Sequence, residues 1–150
     1  MATTISSGTN PYKKGSPPDF GTLYSGRALE FDGVVDYIDN GVSNFRSSDQ
    51  VGTISAWVKF DVVNAYQRIF GSTLSSSQDY FIDLYLDSSG KISISTKSGD
   101  GDEVDVVKYD TALSASIWYH VVVSSNGEVN GYSIYIDGDS KTVAVGEGAH

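Results

Sequence analysis

The sequence predicts an all-β fold, an antiparallel two-sheet sandwich, and three observations lead there. First, Trp118-Tyr119-His120-Val121-Val122-Val123 is followed by Asn126-Gly127, then by Tyr132-Ser133-Ile134-Tyr135-Ile136 and Asp137-Gly138. Tyr132, Ile134 and Ile136 alternate with Ser133, Tyr135 and Asp137, the period of two that a half-buried strand requires. Asn-Gly and Asp-Gly supply the positive φ angles of two-residue hairpins, so this region reads as an antiparallel meander closing with Thr142–Val145. Second, charged residues are only 19% of the chain while glycines number 16 and tyrosines 10, a balance that favours pleated surfaces and turns. Third, no long window carries an apolar stripe at helical spacing. A chain of 150 residues holds one domain with a core, and two only with difficulty.

Residues 1–21 read as an extended arm, because Thr, Ser, Gly and Asn dominate its start and Pro11, Pro17 and Pro18 prevent regular pairing. Tyr12, Lys13, Lys14 and Phe20 are its candidate anchoring residues. Lys13, Lys14 and Asp19 make the arm net +1, which leaves −10 for the rest of the formal −9. Residues 22–150 form the sandwich. Ala28–Phe31 is expected as a strand, turned by Asp32-Gly33 into Asp36–Asp39. Thr53–Phe60 puts Ile54, Ala56, Val58 and Phe60 on one face, and Gln67–Gly71 is a short strand ended by glycine. Tyr80–Leu86 turns at Asp87-Ser88-Ser89-Gly90 into Lys91–Ser95, and Glu103–Tyr109 follows a Gly99–Asp102 turn.

An acidic chain without clustered Lys and Arg does not suit nucleic acid, whose phosphates need such clusters. No cysteine is present, so disulfides and thiolate metal sites are excluded. Residues 1–10 show no basic start followed by an apolar run, so no export leader is expected. No segment reaches the roughly 18 apolar residues of a helical membrane span, and no membrane insertion is expected.

Arg27-Ala28-Leu29-Glu30-Phe31-Asp32-Gly33, Asp36-Tyr37-Ile38, Thr53-Ile54-Ser55-Ala56-Trp57-Val58-Lys59, Trp118–Val123 and Ile134–Gly138 occur in that order. This succession, over about residues 23–145, resembles the laminin-G-like, concanavalin A-like jelly-roll superfamily. The resemblance implies a curved sandwich of two antiparallel sheets that recognises glycans or proteins without catalysis, often with calcium at the sheet rim. Members of that superfamily usually carry further strands past the Asp-Gly hairpin, which this sequence lacks before Gly146–His150. Three explanations follow: a fragment, strands supplied by a neighbouring chain, or a shortened variant. The arm, with Phe20–Gly26 leading into the first strand, also resembles short phage structural proteins that carry this domain.

Four constellations could carry chemistry. Glu103-Val104-Asp105-Val106-Val107-Lys108 resembles the Glu-x-Asp-x-x-Glu strand of retaining β-glucanases, but Lys108 stands where the acid should be. A lysine cannot replace that proton donor, so the expectation is no enzyme, with an exposed edge strand as the plain alternative. Asp100, Asp102, Glu103 and Asp105 cluster at a glycine-rich loop, hard oxygen ligands that suit calcium, although their spacing fits no twelve-residue calcium loop. Asp36 with Asp39 is a weaker pair, and a solvated acidic turn is the alternative for both. His120 reads as a framework residue, because the other histidine is His150 and no catalytic triad can be built. Tyr66, Arg68, Tyr80, Asp83, Tyr85 and Tyr109 are the carbohydrate-binding candidates, since rings stack on sugar faces while carboxylates and hydroxyls bind sugar OH groups. Trp57 and Trp118 are assigned to the framework.

These readings converge on a binding protein. The leading expectation is a phage virion surface protein, a capsid decoration or tail component. Its arm would dock on other virion proteins, and its sandwich would engage glycans in multiple copies or as a homo-oligomer. A carbohydrate-binding module of a secreted or cell-surface bacterial protein, and a purely structural virion cement protein, are the alternatives.

Overall fold

A computed structural model describes residues 4–5, 28–39, 51–73, 80–99, 104–128, 131–140 and 142–145. The chain divides into two compact units, Met1–Arg46 and Ser47–His150.

In the first unit β1 (Thr4–Ile5) pairs antiparallel with β2 (Ile38–Asp39), Thr4 opposite Asp39 and Ile5 opposite Ile38. The expected strand over Ala28–Phe31 carries no ladder, and the return shortens to Ile38–Asp39. Alternation offers a face but a strand also needs a neighbour to hydrogen-bond, and none of the described strands pairs with residues 28–31. Leu29, Phe31, Val34, Val35 and Tyr37 are exposed. The Asp32-Gly33 turn forms as expected. Gly33 sits at φ 71°, and the Asp32 Oδ1 accepts from the amides of Val34, Val35 and Asp36 at 2.8, 2.9 and 3.2 Å. Those donors favour the ionised carboxyl and hold its pKa below the ordinary value.

The second unit is the sandwich. One sheet has the order β10-β9-β8-β3, with β3 (Val51–Lys59), β8 (Trp118–Asn126), β9 (Tyr132–Ile136) and β10 (Asp139–Ser140). The other has the order β11-β7-β6-β5-β4, with β4 (Gln67–Thr73), β5 (Tyr80–Leu86), β6 (Ile92–Ser98), β7 (Asp105–Tyr109) and β11 (Thr142–Val145). Every pairing is antiparallel. The chain changes sheet between β3 and β4, between β7 and β8, and between β10 and β11.

Alternation decides what lies between the sheets. Leu84, Leu86, Ile92, Ile94 and Val107 from one sheet meet Val121, Val123, Ile134 and Ile136 from the other, all buried. Each such aliphatic contributes about 1.5–3 kcal/mol by leaving water. Phe60 and Leu113 join this core from outside the strands, fixed by Ser116 N–H to Phe60 O at 2.7 Å and Leu113 N–H to Gly90 O at 2.8 Å. At the edge strands β3 and β4 the inward residues Ile54, Val58, Ile69 and Phe70 are only half-buried.

Two turn expectations have different outcomes. Asp137 (φ 53°) and Gly138 (φ 86°) make the tight β9–β10 turn as read. Asn126-Gly127 does not make a two-residue turn. The Asn126 Oδ1 accepts from Glu128 N–H at 2.9 Å, Asn126 N–H donates to Gly131 O at 2.9 Å, and the loop widens to Gly131. Asparagine bonded to its own backbone two residues on competes with the hairpin turn. The edge-strand reading of β7 is corrected too, since β7 lies between β6 and β11.

Candidate functional site

The side of the five-stranded sheet that faces away from the core is crossed by two rows of paired residues. One runs Arg68, Tyr85, Ser93, Lys108 and the other Gly71, Asp83, Ser95, Val106. A register shift between Arg68 and Phe70 places Arg68 and Gly71 on this side together. Asp83, Tyr85, Ser93, Ser95 and Val106 are buried although they do not join the core between the sheets.

Four of the six carbohydrate-binding candidates meet there. The Arg68 guanidinium donates from Nε to Asp83 Oδ1 at 2.6 Å and from Nη2 to Asp83 Oδ2 at 2.7 Å. The Tyr66 hydroxyl donates to Asp83 Oδ2 at 2.5 Å. The Tyr66 ring stacks on Tyr85 with centroids 4.6 Å apart and planes inclined by 29°. Tyr66 is half exposed. Burial, and then the Asp83 carboxylate, push the Tyr66 phenol up to about 12. Asp83 likewise drives the Arg68 guanidinium above its ordinary value, and burial raises Tyr85.

Gly71 makes the room. A Cβ there would lie 2.9 Å from Arg68 Cδ and 3.3 Å from Asp83 Oδ1, so only glycine lets the arginine lie flat across the strand toward the carboxylate. On the same side, the Asp87 Oδ1 accepts from Ser89 N–H at 2.9 Å, Ser89 hydroxyl at 2.6 Å and Lys91 N–H at 3.0 Å. Its Oδ2 accepts from Lys108 Nζ at 3.1 Å. Burial works to raise the Asp87 pKa, but these donors outweigh it and the carboxyl lies below its ordinary value.

Tyr80 and Tyr109 do not belong with the other four. Tyr80 stands three residues from Asp83 and has the opposite parity, exposed near the end of β5. Tyr109, 6% exposed, is packed in the core beside Val107. The reason is the period of two: residues an odd number apart point to opposite faces.

Of the metal candidates, Asp100, Asp102 and Glu103 lie outside the described residues, as do Tyr12, Lys13, Lys14 and Phe20 of the arm. Asp105 opens β7 opposite Thr96, on the core-side parity and half-buried. No group of three or more His, Cys, Asp or Glu able to hold a metal ion occurs among the described residues, so these supply no calcium ligand set. Asp36 accepts Asp32 N–H at 3.1 Å and serves its own turn. Regular register puts Asp105 and Lys108 on opposite faces of β7, so they cannot flank one substrate bond.

The opposite sheet corrects one assignment. Trp57 is 65% and Trp118 45% exposed, so neither is framework. His120 lies opposite Trp57, stacked on it at 5.0 Å and 23°, and shares a 2.9 Å hydrogen bond between its Nε2 and Ser55 Oγ. Lys59 Nζ stands 5.8 Å from the Trp118 ring centroid. The signal for this aromatic patch was present: once Ile54, Ala56 and Val58 turn inward, Trp57 must turn out.

Residues 31–149 match the Concanavalin A-like lectin/glucanases superfamily. No curated protein and no solved structure matches the chain.

Proposed function

The chain belongs to the Concanavalin A-like lectin/glucanases superfamily, and from that premise we propose that it is a non-catalytic saccharide-binding protein. The observation that carries this reading is the convergence of Tyr66, Arg68, Asp83 and Tyr85 on one sheet face. Tyr66 is half exposed and is held by a second ring and, at its tip, by a carboxylate, so a sugar stacking on it would freeze few rotamers. The same bonds fix the Arg68 plane beside that ring. Lys108, on the face away from Asp105, supports the absence of glycoside chemistry.

Support for a display context comes from the sequence. A proline-interrupted arm of net +1 preceding a body of −10 fits attachment to a larger assembly such as a virion surface. Many copies on one particle would raise avidity by about 10²–10⁴ over one shallow site. Nine-residue β3, at the end of its sheet among the described strands, offers an edge by which copies or neighbours could assemble.

A glycan array probed with the whole chain, with and without calcium, tests the reading. Binding that Tyr66→Ala abolishes while the far-ultraviolet spectrum stays that of a sheet is the expected result. Silence of the folded protein across a broad array would overturn it in favour of a purely structural role.

A further inference from the structure

We propose that the saccharide taken by this face is an acidic one, bearing carboxylate or sulfate groups, a proposal that rests on the saccharide-binding reading above. Two ion pairs on this face have the same orientation. In the Arg68–Asp83 pair the guanidinium side chain is 61% exposed and the carboxylate 10%. In the Lys108–Asp87 pair the ammonium side chain is 33% exposed and the carboxylate 12%. Each pair is neutral as a whole, yet each turns its positive end to solvent and hides its negative end. In both pairs the cation is the partner that a ligand meets first.

Placement of the cations points the same way. Five Lys and Arg residues fall among the described residues: Lys59, Arg68, Lys91, Lys97 and Lys108. Arg68, Lys97 and Lys108 occupy outward positions of the five-stranded sheet, and Lys91 adjoins the turn between β5 and β6. In a chain of formal charge −9, three of the five described cations therefore lie on this one side.

Neutral sugars are usually gripped by carboxylates that accept from hydroxyl groups. Asp83 offers little for that, because its Oδ1 is taken by Arg68 and its Oδ2 by both Arg68 and Tyr66. These bonds leave three guanidinium N–H groups, one on Nη2 and two on Nη1, and the Nη1–Nη2 edge is the fork that suits two oxygens of one anionic group. Arg68 and Lys108 stand in one row, three strand spacings apart, or about 14 Å. That span exceeds one sugar ring, so an oligosaccharide with repeated acidic groups fits better than a single acidic sugar. The ring of Tyr66 would stack on the sugar whose acid meets Arg68.

The test is titration calorimetry of the whole chain against a uronate polysaccharide and a sulfated one, each beside its carboxyl-reduced or desulfated counterpart. At least one acidic polymer should bind at least tenfold more tightly than its neutral counterpart, and which one distinguishes carboxylate from sulfate. Its affinity should fall about tenfold or more as salt rises from about 0.05 to 0.5 M, because exposed charges are screened. Arg68→Gln should weaken binding about tenfold. Should that variant fail to fold, Lys108→Gln, which leaves the Asp83 bonds intact, should still weaken it by about threefold. Neutral polymers bound as tightly as acidic ones, without salt dependence, would overturn the acidic assignment and leave the saccharide reading standing. Acidic binding unaffected by either substitution would overturn the placement on this face. No binding to any polymer by the folded chain would overturn both readings.

Discussion

Arg68 closes on both carboxylate oxygens of Asp83, and the two residues, fifteen positions apart in the sequence, come from neighbouring strands. Bidentate arginine is a directional contact, so it sets the plane of the guanidinium as well as its position. Everything proposed for this face depends on that plane being held.

Gly71→Ala should disturb it while leaving the identity of both partners unchanged. The added methyl would press on Arg68 Cδ at 2.9 Å and on Asp83 Oδ1 at 3.3 Å. Loss of one charge-assisted contact and some strain should cost about 1–3 kcal/mol in denaturant unfolding. Saccharide binding should drop with it. Unchanged stability and binding would mean that Arg68 does not lie across Gly71.

Tyr66 should titrate far above an ordinary phenol, at about 12 against a usual 10.0. The neutral form is favoured in the folded state, so this contribution to stability is complete below pH 10.0 and is lost as pH rises through about 12. Ring-carbon resonances followed against pH, assigned by comparison with Tyr66→Phe, measure it. In Asp83→Asn the midpoint should fall but stay above 10.0, because burial, the larger cause, persists.

Asp87 carries the opposite sign. Its folded pKa is below the ordinary 3.8, so its stabilisation is present above that pH and disappears as pH falls through the lower folded value. Asp87→Asn keeps an oxygen for the Ser89 and Lys91 amides but gives up the ion pair with Lys108. It should therefore be about 1 kcal/mol less stable at neutral pH. The deficit should vanish in strong acid, where wild type is protonated as well. A deficit of equal size at every pH would sink this account.

Trp57 and Trp118 are the two tryptophans of the chain, and both face outward. Acrylamide should quench nearly all intrinsic emission of the folded protein. Trp57→Ala should change stability by less than about 1 kcal/mol, whereas Ile134→Ala, in the packed core, should cost about 2–5 kcal/mol. Emission shielded from acrylamide would place the indoles inside and contradict the register of β3 against β8.

Much of the sandwich was legible from alternation alone. Tyr80–Leu86, the Asp87–Gly90 turn and the Trp118–Val123 run announce strands and a hairpin, because period two and turn chemistry are local properties. The sugar-site candidates were legible only as residue types. Tyr66, Arg68, Asp83 and Tyr85 were grouped with Tyr80 and Tyr109, which parity separates from them once a face is assigned. Trp57 and Trp118 read as framework from the sequence but face outward, because their neighbours Val58 and Tyr119 hold the inward parity.

What the amino-acid order determined by itself is the class of fold and the two possible faces of each strand. Side-chain alternation follows from backbone geometry and needs no partner. What only the tertiary arrangement decided is which strands adjoin and in what register, and hence which distant residues meet. The bulge between Arg68 and Phe70 shows why, since one extra residue there sets the parity that brings Arg68 and Gly71 to the side of Asp83. Such a slip is settled by how both strands pack on the shared core, which no local window of sequence contains.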